Sequence, residues 1–204
     1  MRRSFLTLIV LGLTGCAATP ERTGLVLPLP HLMAPSKHID LLYVAPGLKL
    51  HKQDILIVTK PKLAAPILER ELTYTPWIKE LHTALIQALR ASGLFVEIAS
   101  EVPSNLAGRK TLVLESAIVE LDPGNQALRW WFGELGAGHS FIQVEGRIVT
   151  GQTQEILAEF ADRRRGAGIF DITGGESDVL LREDLRGIAK DVAKALEAAL
   201  QKEY

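Results

Sequence analysis

Residues 140–150 constrain the fold more than any other part of the chain, because Ile142, Val144 and Ile148 alternate there with Gln143, Glu145 and Arg147. A period of two belongs to a strand whose apolar side chains all leave one face of a sheet. Such a sheet buries one face only and leaves the other polar, so an apolar layer must cover the buried side. After a turn at Gly151-Gln152, Ile156, Ala158 and Phe160 repeat the pattern in a returning strand. Residues 39–45, 54–59, 94–98 and 111–121 read as further strands, the last closed by Asp122-Pro123-Gly124-Asn125.

Two segments supply the covering layer. Thr75 can cap a helix that starts at Pro76, carries Trp77, Leu81, Leu85, Ala88 and Leu89 on one face, and stops at Ser92-Gly93. Ser177 can cap a second helix, with Leu181, Leu185, Ile188, Val192, Leu196 and Leu200 at helical spacing. One apolar stripe per helix implies one partner surface. The expected fold is therefore α/β: a two-layer sandwich with a mixed sheet of about five strands and two amphipathic helices packed on one face.

The amino-terminal residues do not belong to that pattern. Arg2 and Arg3 precede an apolar run over residues 5–13, and the run ends in Leu13-Thr14-Gly15-Cys16, which holds the only cysteine of the chain. This is the layout of a secretory signal, about half as long as a membrane-crossing helix requires. Leu13-Thr14-Gly15-Cys16 resembles a bacterial lipobox, in which the cysteine is lipidated and the bond before it is cut. Arg2-Arg3-Ser4-Phe5-Leu6 also resembles the core of a twin-arginine export signal. The resemblance implies a signal peptide over residues 1–15 and lipidation of Cys16, so that the membrane is held through lipid. Ala17, in place of an aspartate, implies the outer membrane, with the domain facing the periplasm.

Residues 16–38 then read as a lipidated tether, because Pro20, Pro28, Pro30 and Pro35 break any helix or central strand. Residues 25–32 are apolar enough to dock on the domain instead. Residues 39–204 form a single α/β domain in this division. Cleavage removes Arg2 and Arg3 and leaves 21 basic against 24 acidic residues. That balance gives no sign of nucleic acid as a partner. No cysteine remains for an internal disulfide, so the domain depends on its own core.

Chemistry is sparse. Trp130, Trp131 and Phe132 precede the glycine series Gly133, Gly136 and Gly138. These glycines open a strand rather than a helix, so they lack the helix amino terminus that would receive a phosphate. The aromatic residues are candidate interaction anchors or covers for the open edge of the core. Asp162-Arg163-Arg164-Arg165 places Arg163 and Arg165 where a ligand anion could be received, or where charge blunts a strand edge against pairing with another chain. The five histidines, 31, 38, 51, 82 and 139, do not cluster, and no zinc spacing or nucleophile elbow is present. Glu115, Glu120 and Glu145 lie on expected strands and can face one another. No catalytic motif and no cofactor is implied.

Residues 133–138 leading into residues 141–149, the turn at Thr150-Gly151-Gln152, a second strand and a long terminal helix together resemble the bacterial lipoprotein family called domain of unknown function 4410. Leu41-Leu42-Tyr43-Val44-Ala45, the helix ending near Gly93 and the strand 94–98 extend the resemblance over most of residues 40–200. The family is distantly similar in fold to the periplasmic domains of the curli secretion lipoprotein and of a lipoprotein activator of penicillin-binding proteins. The resemblance implies a non-catalytic interaction or assembly module that binds an envelope protein or itself. A periplasmic hydrolase or small-ligand binder, using carboxylates and the arginine run, is the alternative.

Overall fold

A computed structural model describes residues 23–24, 26–48, 54–68, 71–103, 108–122, 124, 140–165 and 177–201. Cys16, Trp130, Trp131, Phe132 and the glycine series that follows them lie outside the described residues.

In chain order the elements are β1 (Ala34–Pro35), β2 (Leu41–Val44), β3 (Ile55–Val58), β4 (Lys62–Leu63), α1 (Ala65–Leu68), α2 (Glu71–Ser92), β5 (Glu97–Ala99), β6 (Thr111–Asp122), β7 (Phe141–Thr150), β8 (Ile156–Arg165) and α3 (Ser177–Gln201). The strands form one mixed, eight-stranded sheet in the order β1-β2-β8-β7-β6-β3-β5, with β4 pairing beside β6. The α/β class, the mixed sheet and the two long helices agree with the sequence reading; the sheet is larger than about five strands. β1 and β4 have two residues each, too short to show any alternation.

Strand alternation assigns each side chain to a face. Arg164 and Asp162 of β8 stand opposite Ile142 and Val144 of β7, and Arg164 reaches Asp191 of α3. Residues 142, 144, 146 and 148 of β7 and 158, 160, 162 and 164 of β8 therefore face the helices, while a register shift places Ile156 opposite Val149 on the other face, correcting its expected alignment with Ala158 and Phe160. Leu112, Leu114, Ile118, Phe160 and the stripes of α2 and α3 complete the core on that side. Gln143, Glu145, Arg147, Glu159 and Arg163 face the other way.

That second face is also covered. Leu27, Leu29 and Met33 are buried, and the segment from Thr23 to Met33 crosses the outer face of the sheet like a strap. Burial of one sheet face only, expected from the alternation, is thus corrected: Gln143, Glu145 and Glu159 are buried too. Docking by the proline-bearing segment is the outcome here for residues 26–33.

Boundaries also differ: the strands expected over 39–45 and 94–98 are Leu41–Val44 and Glu97–Ala99. α2 begins before Thr75, with Pro76 as its sixth residue, where a missing N–H costs one intrahelical bond rather than none. Its end holds as read, with Gly93 at φ +68 beyond Ser92, the left-handed residue that commonly closes a helix. The β7–β8 connection is longer than Gly151-Gln152: Thr150 N donates to Glu155 O at 2.9 Å.

Candidate interaction surface

The outer face is a ladder of paired charges rather than a bare polar surface. Glu115 on β6 accepts from Arg147 on β7, Nε–Oε2 2.7 Å, with Lys62 of β4 at 3.9 Å. Glu120 accepts from Arg163 of β8 at 3.0 Å. A bulge makes this second pair possible. The β6–β7 register shifts between Ile118 and Glu120, so Val119 is the extra residue and Glu120 turns to the outer face. Unshifted, alternation would aim Glu120 at the helices.

The strap supplies the remaining partners. Glu145 is fully buried and accepts from Thr23 N at 2.5 Å, Thr23 Oγ1 at 3.1 Å and Gly24 N at 3.2 Å. Gln143 Nε2 donates to the same carboxylate at 3.3 Å. Glu159, also fully buried, accepts from His31 N at 3.1 Å and lies 3.3 Å from His31 Nδ1. The His31 ring stacks on Tyr43 of β2 with centroids 4.1 Å apart. Arg147 donates to Pro28 O at 3.2 Å. Buried carboxylates need such donors, and backbone amides serve without adding another charge.

Arg163 and Arg165 share a third side chain. Their guanidinium carbons lie 5.1 and 5.4 Å from the Phe141 ring centroid, a cation–π arrangement. Phe141 opens β7 and Arg165 ends β8 directly opposite it, so the three side chains meet at one end of the sheet. β8 lies between β2 and β7 in the sheet order, but β2 pairs only with Ala158 to Ala161, so the arginine run extends past it and pairs with β7 alone. On that side the backbone of Arg163 is met by the Asp40 side chain, its N donating to Oδ2 at 2.8 Å, rather than by a neighbouring strand.

Arg164, on the helix face, belongs to a different group. Its Nη2 donates to Asp191 at 2.5 Å and its Nε to Asp162 at 3.4 Å. Asp40 N donates to Asp162 at 3.2 Å, and Asp40 accepts from Arg163 N at 2.8 Å. Burial pushes Asp162 up to about 6, although the Arg164 charge opposes it. Burial likewise raises Asp184 to about 6 against the pull of Arg164, and Asp184 Oδ2 is buried with no hydrogen-bond partner. Burial also acts to raise Asp191, but hydrogen bonds and charge from Arg164 and Lys194 outweigh it and hold the carboxyl below its ordinary value. Sequence reasoning missed this group because Asp184 and Asp191 read only as polar positions on an amphipathic helix.

Among the described residues no cluster of three His, Cys, Asp or Glu side chains forms a metal site. No described helix is long and apolar enough to cross a membrane.

Residues 75–168, from within α2 to just past β8, match the family model described as a domain of unknown function, DUF4410. The resemblance drawn from the sequence is borne out by that match. Trigger factor of Lysinibacillus sphaericus (strain C3-41) is 26% identical over 155 residues, which span 73% of this chain and 35% of that relative's length. Among solved structures, PelC from Paraburkholderia phytofirmans, a dodecamer, aligns at TM-score 0.43 and 13% identity over 72% of this chain and 96% of its own. Protein XCC0632 from Xanthomonas campestris aligns at TM-score 0.47 and 12% identity, covering 79% and 94%. A minor lipoprotein from Acinetobacter baumannii aligns at TM-score 0.36 and 11% identity, covering 72% and 94%.

Proposed function

We propose that this chain, whose residues 75–168 match a domain of unknown function, is a lipid-anchored envelope protein that binds another envelope protein and catalyses nothing. Lipid on Cys16 holds it at the outer membrane, with the domain in the periplasm. The resemblance of Leu13-Thr14-Gly15-Cys16 to a lipobox supports the anchor. The observation that carries the non-catalytic reading is the state of the carboxylates: Glu115, Glu120 and Glu145 are each committed to Arg147, to Arg163 or to strap amides. These contacts tie all three carboxylates to the sheet and its strap, a structural use that supports the non-catalytic reading. The same pairings count against the hydrolase alternative, which would draw on these carboxylates and the arginine run.

In this reading the partner meets the end of the sheet where Arg163, Arg165 and Phe141 converge, together with Trp130, Trp131 and Phe132. Two measurements test it. A Cys16→Ser variant is expected to lose incorporation of labelled palmitate, and labelling that persists would refute the anchor. In-cell crosslinking is expected to capture a partner that is lost on combined Trp130→Ala and Trp131→Ala substitution; unchanged capture would refute the proposed surface.

A further inference from the structure

The helix layer carries a charged groove that neither the core nor the strap uses. Arg182, Arg186, Lys190 and Lys194 stand at four-residue intervals along α3 and border the seam with α2. Four residues advance a helix by about 6 Å and return the side chain to nearly the same side, so the cations form one row. The two helices run in the same direction along this seam. Arg182 sits 5.4 Å above the Trp77 ring near the start of the seam, and Lys194 and Glu197 lie beside Ala91 and Ser92 at its other end. Its floor is made of Ala84, Ala88, Ala91 and Ala193.

Charge in the groove does not balance. Five cations line it, the four above and Lys79, against the carboxylates of Glu80 and Glu197, in a chain whose net charge is −1. Glu80 is divided between Arg182 at 3.4 Å and Arg186 at 2.6 Å. Lys194 is met by Asp191 at 3.2 Å, but Asp191 also serves Arg164. Lys79 and Lys190 are exposed and have no ion-pair partner among the described residues.

We propose that the α2–α3 groove is a docking site for an acidic amphipathic helix of a partner protein. The alanine floor lets a second backbone approach closely, and surplus positive charge selects carboxylates spaced four residues apart opposite Arg186, Lys190 and Lys194. A second copy of this chain does not fit through α3, since it would bring the same cations face to face. The proposal rests on the interaction-module reading and names its partner's chemistry. Geometry favours a protein over the anchoring lipid. Thr23 is bonded to Glu145 on the face opposite the helices, and Cys16 precedes it by seven positions, a reach of at most about 25 Å. An anchor there leaves from the outer face, with the groove turned away from it.

The test uses the full chain in mild detergent and a fluorescent 18-residue helical peptide with an alanine ridge and glutamates at i, i+4, i+8 and i+12. Binding is expected at micromolar Kd, weakening at least tenfold between 50 and 500 mM salt. Lys190→Glu with Lys194→Glu is expected to weaken it at least tenfold. The charge-matched control, Lys60→Glu with Lys110→Glu, changes exposed residues outside the groove and should bind within twofold of the parent. A peptide with lysines in place of the glutamates should bind the Lys190→Glu, Lys194→Glu variant better than the parent. Equal binding by both double variants, or no binding to a parent with an unchanged circular dichroism spectrum, overturns the proposal. So does preferential binding of phosphatidylglycerol vesicles through Lys190 and Lys194, which would assign the groove to lipid. Palmitate labelling of Cys16 reports on the anchor independently, so either reading can fail alone.

Discussion

A methyl group at position 146 would overlap Cζ of Phe160 and stand 3.0 Å from the Glu115 carbonyl oxygen. Gly146 faces the helices in the middle of β7, directly across from Phe160, which is fully buried. Glycine weakens a strand interior through lost chain entropy, but here its missing side chain is the space the phenyl ring occupies. Gly146→Ala must move that ring within a closed core, and overpacking of this kind costs about 1–3 kcal/mol. Urea unfolding followed by circular dichroism is expected to show the midpoint falling; a midpoint equal to the parent's would mean the ring has another rotamer to adopt. The sequence offered no sign of this. The alternation over residues 140–150 did not single out Gly146, and its partner lies across a strand pairing that only the register reveals.

At the scale of elements, the strap is held by polar contacts at both ends and by apolar ones between. Leu27 and Leu29 are buried between the attachments at Glu145 and Glu159, and each is worth about 1.5–3 kcal/mol in burial. Glu145→Ala removes the acceptor for Thr23 N and Gly24 N. Hydrogen bonds to a charged acceptor contribute about 1.5–3 kcal/mol. Exchange of the Thr23 and Gly24 amides is therefore expected to quicken at least tenfold, while the β6–β8 amides keep their protection. Equal exchange in the variant would show that the apolar contacts suffice. What was legible follows from the same physics. The helices from Trp77 to Leu89 and from Leu181 to Leu196 announce themselves because periodic burial repeats over several turns, and β7 does so through its alternation. The strap does not, because Leu27-Pro28-Leu29-Pro30 is extended and proline-rich, and the carboxylates that hold it are distant in sequence. Likewise Arg163 and Arg165 were found as charges, but the pairing of Arg163 with Glu120 depends on a bulge at Val119 that no periodicity shows, and the contact of both with Phe141 depends on the β7–β8 register.

For the whole molecule, stability is tied to pH through the acids around Arg164. Asp162 and Asp184 both rise from 3.8 to about 6 in the folded state, so the native protein holds their protons more tightly than the unfolded chain. Where the unfolded chain has released those protons and the native state still binds them, stability falls as pH rises; the window is between about 4 and about 6. Asp191 has the opposite sign, since its folded pKa is lowered, and its contribution is present above the ordinary carboxylate range and lost below it. Asp162 and Asp184 thus act in one sense and Asp191 in the other, so the pH profile of the parent protein mixes both. Asp184→Asn separates them. Asparagine keeps the shape of the protonated acid, and only Asp184 Oδ2 lacks a hydrogen-bond partner among these three carboxylates. Removing a carboxylate whose pKa is raised to that extent should stabilise the protein at pH 7 by about 1–3 kcal/mol. As pH falls from 7 to 4, through the window in which Asp184 takes up its proton, that advantage should shrink toward a constant offset. Urea midpoints of parent and variant at pH 4, 5, 6 and 7 measure the difference directly. A gap that stays constant over this range would show that Asp184 ionises in the folded protein as freely as in the unfolded chain. A gap that widens toward acid would place the proton on the unfolded side and reverse the linkage.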